Sequence, residues 1–405
     1  MGKIAKLVCV TDINNNKFYN MIENEGVGTF TAEWGRVDST KTTKVYPMKE
    51  WDAKYRDKTS TKKGYTDVTH LYTEAISTNS TTTVDETFIS NDMWVKKLIE
   101  DLQRYANKTI SENYKVSTKN VTQKMINEAQ LIIDEISKTY STKLSKDVIN
   151  SLLLKLFIVI PRKMGHVKDY LIKDDDNKER VAKIIDNEQS ILDSLAGQVL
   201  IQNDNTEVTK DDIKKVGLLD SMGISVEHVD DAKVIAKVKK LMGDSSHKFS
   251  RLFEVKNFKT EKIYKKVDIE NEELLWHGSR SENFIKIMQT GLLIRPSGSV
   301  YSGSMYGDGI YFATKASKSI GYTSLSGSRW ASGSNNVAYL ALFSVNLGKQ
   351  KIVHRHSSDC YSFSEKTIAP YNSVFAKAGV SLVNDELIIY NPNRCTIKYL
   401  LEIKS

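Results

Sequence analysis

The sequence predicts an α+β chain of several domains: a small β-sheet domain with a helix, an all-α bundle, and a C-terminal domain of mixed α/β structure. Three observations carry this. Residues 1 to 75 alternate short β-prone runs with turn residues, and residues 90 to 205 repeat apolar side chains at helical spacing. From residue 210 onward strands return, separated by loops rich in glycine and serine. At 405 residues the chain has room for about two or three domains, and its 40% hydrophobic content is enough to build their cores.

Taken in order, Lys6-Leu7-Val8-Cys9-Val10 is a strand, and Asn14-Asn15-Asn16 suits a hairpin turn. Lys17 to Ile22 returns as a second strand, Gly26-Val27-Gly28 turns again, and Thr29 to Trp34 makes a third, followed directly by Gly35-Arg36-Val37. From Met48 to Lys58 the pattern is helical, with Trp51 and Tyr55 four apart, and Gly64 to Val68 closes the unit. Ser77 to Thr83 is polar and of low complexity, which reads as a flexible linker over 77–89.

Ser90-Asn91-Asp92 offers helix caps ahead of Trp94, Leu98, Leu102 and Tyr105. Met125, Ala129, Ile132 and Ile136 mark a second helix. Leu144 to Ile160 is apolar nearly all round and should be buried, with Pro161 stopping it. Val181 to Leu195 marks a further helix, ended near Gly197. In the last part Phe253-Glu254-Val255, Lys262-Ile263-Tyr264, Leu274-Leu275-Trp276, Val337 to Phe343, Glu386 to Tyr390 and Thr396 to Ile403 read as strands, and Asn283 to Gln289 as a short helix closed by Gly291. Pro296 to Gly303 and Ser324 to Asn336 read as loops beside a ligand or as lids over it.

Lys and Arg number 58 against 50 Asp and Glu, a formal net charge of +8 that permits nucleic-acid binding without requiring it. Cys9, Cys360 and Cys395 are far apart and none pairs at metal-ligand spacing, so neither disulfides nor a metal centre is expected. No apolar leader follows Met1, and the longest apolar run, Ser151 to Ile160, is broken by Lys155 and too short to span a membrane. The expectation is an intracellular soluble protein with no membrane partner. Gly303 to Gly309 lacks a dinucleotide fingerprint and any surrounding βαβ unit, which disfavours a Rossmann dehydrogenase.

Three stretches concentrate chemistry: Leu275-Trp276-His277-Gly278-Ser279-Arg280, Gly307-Asp308-Gly309-Ile310-Tyr311-Phe312-Ala313, and Asn384-Asp385-Glu386-Leu387-Ile388-Ile389-Tyr390. Between the last two lies Ser317-Lys318-Ser319 with Tyr322 three residues on. Alone, the histidine, the tyrosine or the carboxylate would read as ordinary core or surface. As an ordered series they resemble the catalytic domain of the poly(ADP-ribose) polymerase family, with His277, Tyr311 and Glu386 at its His-Tyr-Glu triad.

The resemblance implies NAD as substrate and no metal. It gives Gly278, Ser279 and Ser319 to the nicotinamide carboxamide, Tyr311 and Tyr322 to the two faces of its ring, and His277 to the adenosine ribose. Lys318 would lie near the donor ribose. Glu386 would hold its 2′-hydroxyl, stabilise the sugar cation and help activate the incoming hydroxyl. Arg295, Gly309, Phe312 and Ala313 complete the expected cofactor-binding set. Asp308 stands where the founding eukaryotic member has a lysine, and Asn384 where it has a tyrosine, both on the acceptor side.

The N-terminal strands with Trp34-Gly35-Arg36 resemble a WGR domain. That resemblance implies a Trp34 ring stacking on a nucleic-acid end, Lys41 and Lys44 meeting phosphates, and Arg36 serving domain contact and DNA together. The helical segment resembles the family's autoinhibitory domain. The expected organisation is thus a WGR domain over 1–76, a linker over 77–89, a helical regulatory domain over 90–208 and a transferase domain over 209–405. The expected activity is poly(ADP-ribosyl)ation of protein acceptors, the enzyme included, stimulated by DNA strand breaks in the damage response. The expected enzyme is monomeric off DNA, and nuclear or cytoplasmic according to source. A mono-ADP-ribosyltransferase and a DNA-end-binding scaffold with an inactive transferase fold are the alternatives.

Overall fold

The computed structural model describes residues 2–37, 39–72, 82–85, 89–113, 121–142, 145–202, 214–294 and 305–405. The chain is mixed α/β, with several sheets and helices. It divides into two compact units, each discontinuous in sequence: Met1–Thr78 with Lys108–Val199, and Asn79–Asn107 with Leu200–Ser297 and Gly303–Ser405.

The first unit opens with a five-stranded sheet of order β4-β3-β2-β1-β5. Its strands are β1 (Ile4–Val10), β2 (Asn16–Asn24), β3 (Thr29–Arg36), β4 (Thr42–Pro47) and β5 (Thr66–Asp67), with helices α1 (Trp51–Thr59) and α2 (Thr69–Tyr72). Asn14, at φ 70°, makes the β1–β2 turn. Strand alternation sends Leu7, Tyr19, Met21 and Phe30 to one face, where they pack with Trp51 of α1. Val8 and Val10 point the other way, into a core shared with the helices downstream. The sequence left β4 unassigned; five of its six residues are exposed, so no burial rhythm marks it.

Next in the chain come β6 (Thr82–Asp85) and α3 (Met93–Asn113), then α4 (Gln123–Thr142), α5 (Lys146–Val159) and α6 (Lys178–Gln202). Ile133 and Ile136 of α4, Leu153 and Phe157 of α5, and Val181 and Leu195 of α6 form the shared core. Helix α6 does not stop near Gly197 as expected. One internal glycine costs only about 1 kcal/mol against alanine, which packing through Leu192 and Leu195 outweighs. After α5 the chain is tied to the sheet: Asn16 Nδ2 donates to Arg162 O (2.9 Å), while Arg162 makes a buried ion pair with Glu188.

In the second unit β6 pairs in parallel with β7 (Lys214–Gly217). The segment expected as a flexible linker therefore contains a strand, built from the β-branched Thr82, Thr83 and Val84. Asp92 Oδ1 caps α3 by accepting from Trp94 N (2.7 Å) and Val95 N (3.0 Å). Val95, Leu98, Ile99 and Leu102 then form one apolar stripe, buried in the core of this unit. The first turns of α3, expected in the helical bundle, thus serve the C-terminal sheet instead.

The remaining elements are α7 (Leu218–Ser221), β8 (Ile224–His228), α8 (Ala232–Met242), β9 (Phe249–Asn257), α9 (Phe258–Tyr264), β10 (Glu272–Gly278), α10 (Phe284–Thr290), β11 (Ile310–Phe312), α11 (Ala316–Ile320), β12 (Val337–Asn346), β13 (Gln350–Val353), β14 (Ser373–Ala376), β15 (Glu386–Ile389) and β16 (Cys395–Lys404). They make a five-stranded sheet of order β10-β12-β16-β9-β8 and a four-stranded sheet of order β11-β15-β14-β13. Lys262-Ile263-Tyr264, read as a strand, is the last turn of α9: Asn257 Oδ1 accepts from Thr260 N (2.9 Å) and starts a helix there. β8, α8, β13 and β14 were not anticipated. Among the described residues, no helix is long and apolar enough to cross a membrane.

Candidate active site

The two C-terminal sheets are stitched together next to the histidine. Trp276 N donates to Ala313 O (2.9 Å) and Ala313 N returns to Trp276 O (3.0 Å). This brings the end of β10 against β11, so that His277 Nδ1 lies 3.1 Å from Tyr311 O. A carbonyl can only accept, so Nδ1 carries the proton and Nε2 of the neutral ring is left as an acceptor. Phe312 and Phe343 meet the imidazole in edge-to-face geometry, their ring centroids 5.9 and 6.0 Å from its own. Burial among them lowers the basicity of His277, while the hydrogen bond to Tyr311 O works the other way.

β11 pairs with β15 in the register Tyr311↔Ile388 and Phe312↔Leu387, which places Glu386 one step beyond Phe312, level with Ala313. The carboxylate delivered from the far end of the chain therefore arrives beside the histidine and the tyrosine. Its Oε1 is in contact with Lys318 Nζ of α11. Its Oε2 is buried and has no hydrogen-bond partner among the described residues. The negative charge of Glu386 is felt at three phenols, Tyr306, Tyr311 and Tyr322, and adds to burial in raising the pKa of each, that of Tyr306 to about 12.

The Tyr311 phenol is fixed at both ends of its hydrogen-bonding capacity: it donates to Gly307 O (2.8 Å) and accepts from Tyr306 N (3.0 Å). Tyr390 donates to Tyr306 O and so anchors the same loop. Gly278 meets the backbone of Ser319 so closely that a Cβ would stand 1.8 Å from its carbonyl oxygen. Only glycine lets β10 and α11 approach in this way. Ser279 Oγ accepts from Asn283 Nδ2 (3.1 Å), and Ser319 is buried. Gly309 leads into β11, and Ala313 closes its bridge to Trp276. The structure thus gathers His277, Gly278, Tyr311, Phe312, Ala313, Lys318, Ser319, Tyr322 and Glu386 at the junction of the two sheets. Arg295 lies outside the described residues. Among the described residues, no cluster of His, Cys, Asp or Glu could hold a metal ion.

Tyr306, Tyr390 and Trp330 went unassigned in the sequence. Tyr306 and Tyr390 act through backbone contacts that no local pattern signals. Trp330 stacks on Tyr322 from a glycine- and serine-rich loop, where a lone tryptophan was the sole cue.

The residues expected to meet DNA lie in the first unit. Trp34 stacks on Tyr19, ring centroids 5.8 Å apart. Lys41 pairs with Glu33 (2.6 Å), and Lys44 lies over the Tyr46 ring at 5.1 Å. Arg36 donates to Asn14 O and Oδ1 (both 3.0 Å), Met164 O (3.0 Å) and Gly165 O (2.8 Å). Its guanidinium is therefore committed to holding the sheet to the segment after α5.

Residues 230–405 match the poly(ADP-ribose) polymerase catalytic domain, a domain that uses NAD as its substrate. Protein 101L of Invertebrate iridescent virus 6, named as uncharacterised, is 36% identical over 199 residues, 49% of this chain and 79% of that protein. The putative poly [ADP-ribose] polymerase-like protein 100L of the same virus is 36% identical over 162 residues, 38% of this chain and 84% of that protein. Poly [ADP-ribose] polymerase 1 of Danio rerio is 25% identical over 315 residues, 70% of this chain but 30% of that enzyme, so this alignment runs upstream of residue 230. The class is that of ADP-ribosyltransferases. The chain belongs to the poly(ADP-ribose) polymerase family.

Proposed function

We propose that this protein is a DNA-break-stimulated poly(ADP-ribose) polymerase, transferring ADP-ribose from NAD to protein acceptors, itself included, with release of nicotinamide. The observation that carries the chemistry is the buried Oε2 of Glu386, without a partner while Oε1 is engaged by Lys318. A buried acceptor without a donor costs about 1–3 kcal/mol, and the 2′-hydroxyl of the nicotinamide ribose supplies the donor. As the C1′–N bond breaks, its electron pair leaves with neutral nicotinamide and the ribose takes on oxocarbenium character. The fixed carboxylate stabilises that charge more than the ground state. The acceptor's lone pair then bonds to C1′, and its proton passes toward Glu386. The neutral His277 presents Nε2 to a hydroxyl of the adenosine ribose, while Tyr311 and Tyr322 flank the departing ring.

The regulatory half of the reading rests on the first unit, read as a WGR domain followed by a helical regulatory domain. Trp34 with its lysines suits a DNA end, and the upstream alignment with the fish polymerase supports the same organisation. DNA binding shifts the population from a closed to an open NAD site. Acceptor choice admits one specific alternative: the Asp308 carboxylate reaches Tyr311 and Tyr390 electrostatically. A negative charge there opposes the pyrophosphate of a growing polymer end and favours single transfer.

Labelled NAD incubated with the protein, with and without nicked, 5′-phosphorylated DNA, tests both halves. The expected result is a ladder of modified protein that intensifies with DNA. Equal labelling in the two tubes removes the DNA stimulation, and one discrete shift assigns the mono-transferase. Glu386→Gln should lower nicotinamide release by about 10²–10³-fold, with DNA binding unchanged. A wild type that binds DNA but releases no nicotinamide is the scaffold.

A further inference from the structure

Tyr322 is not a free-standing ring. The indole of Trp330 lies almost parallel to it, ring centroids 4.6 Å apart and planes 16° apart. The loop that carries Trp330 is held at base and tip. At the base Ser326 N donates to Asn335 O (2.8 Å) and Asn335 N to Ser324 O (3.0 Å). Inside the loop Gly333 N donates to Ser328 Oγ (2.7 Å). At the tip Trp330 N and Ala331 N both donate to Gly321 O (2.9 and 3.1 Å), returning the tip to the residue just before Tyr322. Ser332, two residues past the tryptophan, sits at φ 49°, a left-handed conformation that serine adopts at a cost. A Cβ on Gly321 would stand 2.4 Å from the indole, so glycine is what allows the two rings to meet.

Burial alone does not explain this investment, because Trp330 remains 44% exposed. Hydrogen bonds, an unfavourable backbone angle and a required glycine all converge on one placement, the indole against the phenol. We infer that Trp330 is a positioning residue for the nicotinamide subsite. It holds the Tyr322 ring in the orientation in which its other face receives the nicotinamide of NAD. The phenol is then the middle layer of a stack with nicotinamide on one side and indole on the other. Fixing the ring in advance removes the rotamer freedom that binding would otherwise have to freeze. This rests on the proposed role of Tyr322 at the nicotinamide ring.

The test measures KM for NAD, kcat for nicotinamide release and Kd for benzamide, a nicotinamide mimic, in the wild type, Trp330→Ala and Trp330→Phe. An aromatic pair contributes enough that Trp330→Ala should raise KM and the benzamide Kd together by roughly 2- to 12-fold. kcat should change less, and Trp330→Phe should recover most of the loss. The emission of Trp330, taken as the wild-type spectrum minus that of Trp330→Phe, should change when benzamide binds. Unchanged KM and Kd in Trp330→Ala overturn the inference, as does a fall in kcat and melting temperature with KM unaltered. If Trp330→Ala does not fold, an indole emission indifferent to benzamide overturns it equally. A wild type that releases nicotinamide yet leaves benzamide unbound overturns the inference and spares the enzyme. A wild type that does neither removes the NAD reading and this inference with it.

Discussion

His277 is held neutral by its surroundings: Nδ1 is engaged by Tyr311 O, and Phe312 and Phe343 replace water around the ring. Because folding lowers its basicity from the ordinary 6.5, the unfolded chain binds the proton more readily. Stability that depends on the neutral ring is complete above the unfolded value. It is lost as pH falls from there toward the folded value. Denaturation by urea at about pH 7.5 and about pH 5.5 should therefore show a larger loss for the wild type than for His277→Gln. Parallel losses would mean that His277 titrates alike folded and unfolded. That His277, Tyr311 and Glu386 come together was legible in the sequence because each sits inside a contiguous motif with its neighbours in fixed order. Tyr306 was not, because its contribution is a backbone N–H to Tyr311, and Trp330 was not, because its partner ring lies across a loop.

Elements read well where burial follows a single period and poorly where an edge or a cap decides. β12 is buried along nearly its whole length and announces itself, whereas β4 lies exposed at a sheet edge and is silent. α9 was read as a strand because the local apolar pair outweighed the cap at Asn257. α3 was read correctly as a helix, but its periodicity says only that one face is apolar, not what covers it. In the structure that face belongs to the C-terminal core, and its first turn is pinned there. Arg251, held by Glu402 (2.6 Å), lies 3.5 Å from the Trp94 ring. Leu98→Ala should accordingly destabilise the second unit by about 2–5 kcal/mol. Hydrogen exchange would locate the effect, with faster exchange in Val337–Asn346 and unchanged exchange in the α5 stretch from Leu152 to Phe157. Acceleration confined to the α5 stretch would place α3 energetically with the helices instead.

At the scale of the whole molecule, a chain of formal net charge +8 is proposed to recognise DNA through one face of its first unit. The structure distinguishes two kinds of cation there. Arg36 spends its guanidinium on Asn14, Met164 and Gly165, joining the sheet to the segment that follows α5. Lys44 rests against the Tyr46 ring and lies among exposed residues of β4, so its ammonium can exchange that contact for a phosphate. The two should separate in a salt titration. Each phosphate neutralised contributes about 0.9 to the slope of log K against log salt on duplex DNA. Lys44→Ala should lower the slope for nicked DNA by about that amount and leave the urea midpoint of the first unit in place. Arg36→Ala should leave the slope unchanged and instead cost the first unit about 1–3 kcal/mol through lost hydrogen bonds to a charged group. A reduced slope with full stability in Arg36→Ala would mean that its guanidinium leaves Met164 and Gly165 to meet DNA.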